Sequence, residues 1–181
     1  MTHGGHILGT DVGSTAPLFL AILAVHVLAA LAAVLTGATA ALTSKGSPRH
    51  LRAGRWYYRA LTGVFATALA LTAMRPRQDY HLALIGAVAF TAATVGYLHR
   101  HRHRPGDAPH IIGMGLSYVA MLTAFYVDNG PHLPLWNRLP SIAFWVLPAA
   151  VGVPLIARAL RRVHRSGADA RSRPARTQRP R

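Results

Sequence analysis

Eleven histidines are the main stock of groups here able to ligate a metal or carry a proton, because the chain has no cysteine and only five acidic residues. The missing cysteines exclude disulfides, thiolate-held zinc and cysteine nucleophiles. Sorted by the ends of the apolar stretches they flank, the histidines form two sets. The inner set is His50, His99 and His110, each with a glycine three or four residues away at Gly54, Gly96 and Gly113. A heme edge needs clearance beside its axial histidine. His50 and His110 are therefore the candidate axial pair for a b-type heme, with Gly54 and Gly113 giving clearance. The outer set is His26, His81 and His132, with Asp79 and Asp128 nearby in sequence. Mixed nitrogen and oxygen donors suit a divalent metal, and His81, Asp128 and His132 are the candidate ligands. For both sets the structural alternative stays open, since histidines also gather at membrane interfaces without ligands.

His26 stands apart, nine residues beyond Pro17 within the first apolar stretch, roughly 13 Å along a helix. Ionisable groups at that depth face a bundle interior. His26, Ala30, Ala33, Gly37 and Ala40 share one face, and such small residues let helices approach closely. Either His26 serves a second, outer heme or proton-handling site, or it is a neutral ring bonded to a Ser, Thr or Tyr of the next helix. A second stripe, His110, Gly113 or Met114, Ser117, Met121, Phe125 and Asp128, should also face the interior. The run HRHRHR at His99–Arg104 resembles a metal tract, but its arginines would repel a cation and a cationic loop is the simpler reading. His3 and His6 could hold copper or nickel weakly, on an arm read as an unstructured terminus.

These side chains need elements to hold them. Five stretches are nearly free of Asp, Glu, Lys and Arg: 18–43, 57–74, 82–98, 111–127 and 142–157, with Arg59 the one exception. A hydrocarbon core about 30 Å thick takes roughly 20 helical residues to cross. Helices are the open option in lipid, because each backbone N–H and C=O must pair internally, and no period-two alternation suggests a barrel. A soluble bundle would need polar outer faces that these stretches lack. The expected fold is all-α, a bundle of five transmembrane helices at about 18–43, 57–74, 81–99, 110–128 and 141–160, the last kinked at Pro148 and Pro154. It comprises an outer arm (1–16), the membrane domain (17–163) and a disordered polybasic tail (164–181).

Arginine sets the orientation. Of 20 Lys and Arg residues, 17 fall in the loop 44–59, the loop 99–110 and the tail from Arg158, and three on the other side. The positive-inside rule puts the N-terminus outside and the C-terminus in the cytoplasm. The first apolar run lacks a basic flank and is too long for a cleaved signal, so it should insert uncleaved. The net charge of +15 suits anionic headgroups, at about 1 kcal/mol per basic residue near the surface. Nucleic acid is the weaker reading, as the tail has no interleaved aromatics. Phosphate-loop and elbow-serine motifs are absent, and no carboxylate lies deep in a span to relay protons.

Two segments, HLRAGRWYY at His50–Tyr58 and HIIGMGLSYVAMLTAFYVDNGPHLP at His110–Pro134, resemble the bacterial multi-pass membrane family domain of unknown function 2306 over about residues 24–154. The resemblance implies a protein of the bacterial cytoplasmic membrane and no activity. The leading functional expectation is a non-catalytic membrane assembly or scaffold protein with a membrane-protein partner or a second copy of itself. The alternatives are a b-type cytochrome-like carrier, with heme between the second, third and fourth spans, and the outer metal site.

Overall fold

The computed structural model describes residues 5–7, 10–12, 17–134 and 136–172, with side chains over 17–134 and 136–165. Five long helices carry the fold: α1 (Pro17–Leu42), α2 (Pro48–Met74), α3 (Pro76–His101), α4 (Ala108–Asn129) and α5 (Ser141–Ser172). Two short strands precede them, β1 (Gly5–Ile7) and β2 (Thr10–Val12), paired antiparallel with His6 opposite Asp11. The arm expected to lack structure thus includes a hairpin, and His3 lies outside the described residues. Four of the helices start on a proline in the first or second position, where its missing N–H costs nothing: Pro17, Pro48, Pro76 and Pro109. Ser47 also caps α2, its hydroxyl accepting from the His50 N–H at 3.2 Å. Gly46 (φ 78°) and Gly106 (φ 84°) turn the chain between helices in the left-handed region that glycine tolerates, and His103 (φ 51°) joins them there.

Successive helices run antiparallel. At one end the Arg75 guanidinium lies 4.3 Å over the Phe19 ring, tying the start of α1 to the α2–α3 corner. At the other end the His50 and His110 rings meet, joining the starts of α2 and α4. Helix α5 returns along α4: Phe144 closes on Gly130, Val119 on Gly152 and Ile156 on Gly115. Among the described residues the core runs between α1, α2, α3 and α4 through Ala33, Tyr57, Leu61, Ala89, Ala93, Ala120 and Met121. Its small residues let the helices approach closely.

The outer surface is apolar. Leu28 is 67% exposed, Leu84 63% and Val151 62%, a coat that water would penalise and lipid would not. Four helices are long and apolar enough to cross a membrane, α1, α3, α4 with its 3-10 extension to His132, and α5. Helix α2 is not among them: it carries Arg49, Arg52, Arg55 and Arg59. It begins at Pro48 rather than Tyr57, because charge marks where a helix leaves the apolar layer and not where it starts. Helix α5 runs through Pro148 and Pro154 to Ser172, so the tail expected to be irregular from residue 164 begins as helix. Residues 173–181 lie outside the described set.

Candidate functional site

The inner end of the bundle is built from two equivalent hairpins. His50 is the third residue of α2 and His110 the third of α4. Each reaches back to the helix before it. His50 Nδ1 lies 2.9 Å from the Ala40 carbonyl on α1, and His110 Nδ1 lies 3.0 Å from the Gly96 carbonyl on α3. A carbonyl can only accept, so both rings donate from Nδ1. In the neutral ring this leaves the Nε2 lone pair for a ligand. The two ring centroids are 6.3 Å apart with planes at 76°, and both side chains are half-buried. The charges of Lys45 and Arg100 act on the His110 ring, and Arg100 also pairs with Asp107 at 2.8 Å.

The glycines divide. A Cβ on Gly54 would meet nothing within 4 Å, so α2 is open one turn beyond His50. The clearance expected at Gly113 is filled instead: a Cβ there would stand 2.6 Å from the Ala92 carbonyl oxygen and 2.8 Å from the Gly96 Cα. Gly96 and Gly113 stack α3 on α4, and that contact carries His110 to the Gly96 carbonyl. His99, grouped with the inner set by sequence, serves its own loop, with Nε2 2.8 Å from the Gly106 carbonyl.

His26 adopts the structural alternative. Thr67 donates its hydroxyl to the Gly63 carbonyl at 2.7 Å and so receives the His26 Nδ1 proton at 2.9 Å. The ring belongs to an α1–α2 contact, remote from the His50–His110 pair along α1. Thr67→Val should remove that bond, with the Val64 carbonyl still in reach of the ring, and lower stability by up to about 1 kcal/mol, read as a small drop in the midpoint of thermal unfolding in detergent.

The outer end brings His26, Asp79, His81 and His132 within electrostatic reach of Asp128. Yet no group of three or more His, Asp or Glu side chains is arranged to share an ion among the described residues. His81, Asp128 and His132 therefore form an electrostatic neighbourhood, not a ligand shell, and Asp128 accepts from its neighbour Asn129 at 3.3 Å. An antiparallel helix bundle brings these ends together without converging their side chains on one point.

Sequence reading passed over a third group, in the bundle's centre. Tyr57 and Ser117 bond at 2.8 Å, and the neighbouring Tyr118 donates to the Val34 carbonyl at 3.1 Å. Tyr57 follows His50 by seven residues and Ser117 follows His110 by seven. Comparing α2 with α4 from their histidines would have found this shared register. The chain matches no protein-family model, no curated protein and no solved structure. The family resemblance therefore rests on its two sequence segments alone.

Proposed function

We propose that the chain is a five-span protein of a bacterial cytoplasmic membrane, N-terminus outside and C-terminus in the cytoplasm. Its role in this reading is that of a non-catalytic assembly or scaffold component whose basic inner face rests on anionic headgroups. One observation carries it. The antiparallel helix order gathers the Lys45 loop, the first turns of α2, the Arg100–Arg104 loop and the end of α5 at one end of the bundle, and 17 of the 20 basic residues belong to these segments and the tail that follows. Helix α2 crosses as the fifth span: its arginines occupy its inner half, and its apolar half packs against α1 and α3 through Gly63 on Ala29 and Phe65 on Phe90. Helix α5 has 32 residues, about 48 Å at helical rise against a core of about 30 Å. Its last turns extend past the hydrocarbon with Arg158, Arg161 and Arg165 exposed.

Two measurements test this. A reporter fused after Arg165 should read cytoplasmic and one placed before Pro17 periplasmic; a periplasmic signal after Arg165 removes the five-span topology. Replacing Arg158, Arg161 and Arg165 with Gln removes about 1 kcal/mol of headgroup attraction each. The phosphatidylglycerol retained per chain in mild detergent should then fall well below that of the parent protein, and unchanged retention would remove the lipid reading. The histidine pair at the inner end favours a second reading, a b-type heme protein.

A further inference from the structure

His50 and His110 share four properties that a structural histidine has no need to combine. They come from equivalent positions on two different hairpins. Each spends Nδ1 on a backbone carbonyl of the preceding helix. Neither Nε2 has a hydrogen-bond partner among the described residues. And the two ring centroids lie 6.3 Å apart in a T-shaped contact. A backbone carbonyl behind Nδ1 is the usual support of a metal-bound imidazole, because it fixes the tautomer and the ring orientation and makes Nε2 more basic.

The number of ligands selects the class of cofactor. A bare divalent ion of the zinc type takes three or four protein ligands, and among the described residues no third His, Asp or Glu joins this pair to form such a group. The group held here must bring its own equatorial donors and ask the protein for two axial ones. An iron tetrapyrrole does this. Distance agrees: with an iron–nitrogen bond of about 2 Å and a ring centre about 1 Å behind the nitrogen, two axial imidazoles stand with centroids about 6 Å apart. The planes of such rings each contain the iron axis but turn freely about it, so 76° is an allowed angle. Gly54 leaves α2 open beside His50. Lys45 lies within electrostatic reach of the His110 ring, a positive charge that suits a cofactor bearing carboxylates; Arg100 is already paired with Asp107.

We infer that the inner end of the bundle is a heme b site, with His50 of α2 and His110 of α4 as its two axial ligands. The site is single. His26 is taken by Thr67 and His99 by the Gly106 carbonyl, so neither belongs to it. The assignment is independent of the lipid-binding role and stands or falls alone.

The test is the visible spectrum of the full chain purified in mild detergent from heme-replete cells. Near one heme per chain is expected, with a low-spin Soret band and sharp α and β bands after dithionite. His50→Gln and His110→Gln should each lose heme at least tenfold or turn it high-spin. Millimolar imidazole should restore the low-spin band in either variant, which separates a lost ligand from a lost fold. His26→Gln and His99→Gln should keep the parental spectrum. A colourless protein from cells that load a control cytochrome overturns the inference. So does heme retained low-spin in both axial variants without imidazole, or a bound zinc or copper ion in place of heme that depends on the same two histidines.

Discussion

Gly113→Ala will destabilise the bundle by about 1–3 kcal/mol, the usual cost of forcing atoms into a packed core, and Gly113→Leu will leave little folded protein. The added Cβ would meet backbone: the Ala92 carbonyl oxygen at 2.6 Å and the Gly96 nitrogen at 2.8 Å. A flexible side chain could swing away from such a contact, but a helix backbone moves only as a unit. Helices α3 and α4 must separate, and the His110–Gly96 bond opens with them. Gly54→Ala, compared in the heme-free protein, is the matched control. It has nothing within 4 Å, and replacing a helical glycine with alanine gains up to about 1 kcal/mol of helix propensity. Thermal unfolding followed by size-exclusion chromatography in detergent should place the two variants on opposite sides of the parent. Equal midpoints would show that the close α3–α4 contact does not hold the bundle.

The same pair of glycines shows what sequence could and could not reveal. Both lie near an inner histidine, and spacing alone treats them as equivalent. Only packing separates Gly54, which faces open space, from Gly113, which another helix fills. The helices long and apolar enough to cross a membrane were legible because apolar runs of this length have few other uses. Four of the five helices were legible for the same reason, while α2 fell short of it and its start was not legible. Its first turns are arginine-rich but still helical, held by the Ser47 cap and Pro48. The interior face of α4 was read correctly at Ser117 and Met121, both buried, and failed at Phe125, which is 45% exposed. A straight stripe drifts around a long helix, so its far end leaves the interface.

The inner and outer histidines fared differently for a topological reason. His50 and His110 begin two helices that start at one end of the bundle, so their meeting follows from hairpin geometry once the helices alternate. The outer residues come from a mid-helix position in α1, the first turns of α3, the end of α4 and a 3-10 turn. Nothing gives those four segments a common aim. Electrostatic reach at Asp128 is the most such an arrangement guarantees, and a ligand shell needs more. Between Pro17 and Arg165 the carboxylates, Asp79, Asp107 and Asp128, lie at helix ends or in a loop. This leaves hydroxyls and histidines as the polar groups between helices.

Those hydroxyls give the sharpest prediction of sign. Ser117 has one hydroxyl proton and donates it to the Met114 carbonyl at 2.8 Å. In the Tyr57–Ser117 bond the tyrosine must therefore be the donor. Both residues are buried, Tyr57 at 2% exposure and Ser117 at 0%. Ser117→Ala leaves the Tyr57 O–H with no acceptor in an apolar core, at a cost of about 1–3 kcal/mol. Tyr57→Phe keeps the ring and leaves Ser117 still bonded to Met114, so it should cost nearer 1 kcal/mol. Removing both partners removes the stranded donor as well. The double variant should thus be more stable than Ser117→Ala alone, although it carries one more substitution. A double-mutant cycle on unfolding free energies measures this directly. A double variant less stable than either single one would mean that Tyr57 finds another acceptor when Ser117 is gone. The bond between α2 and α4 would then be incidental to the packing around it.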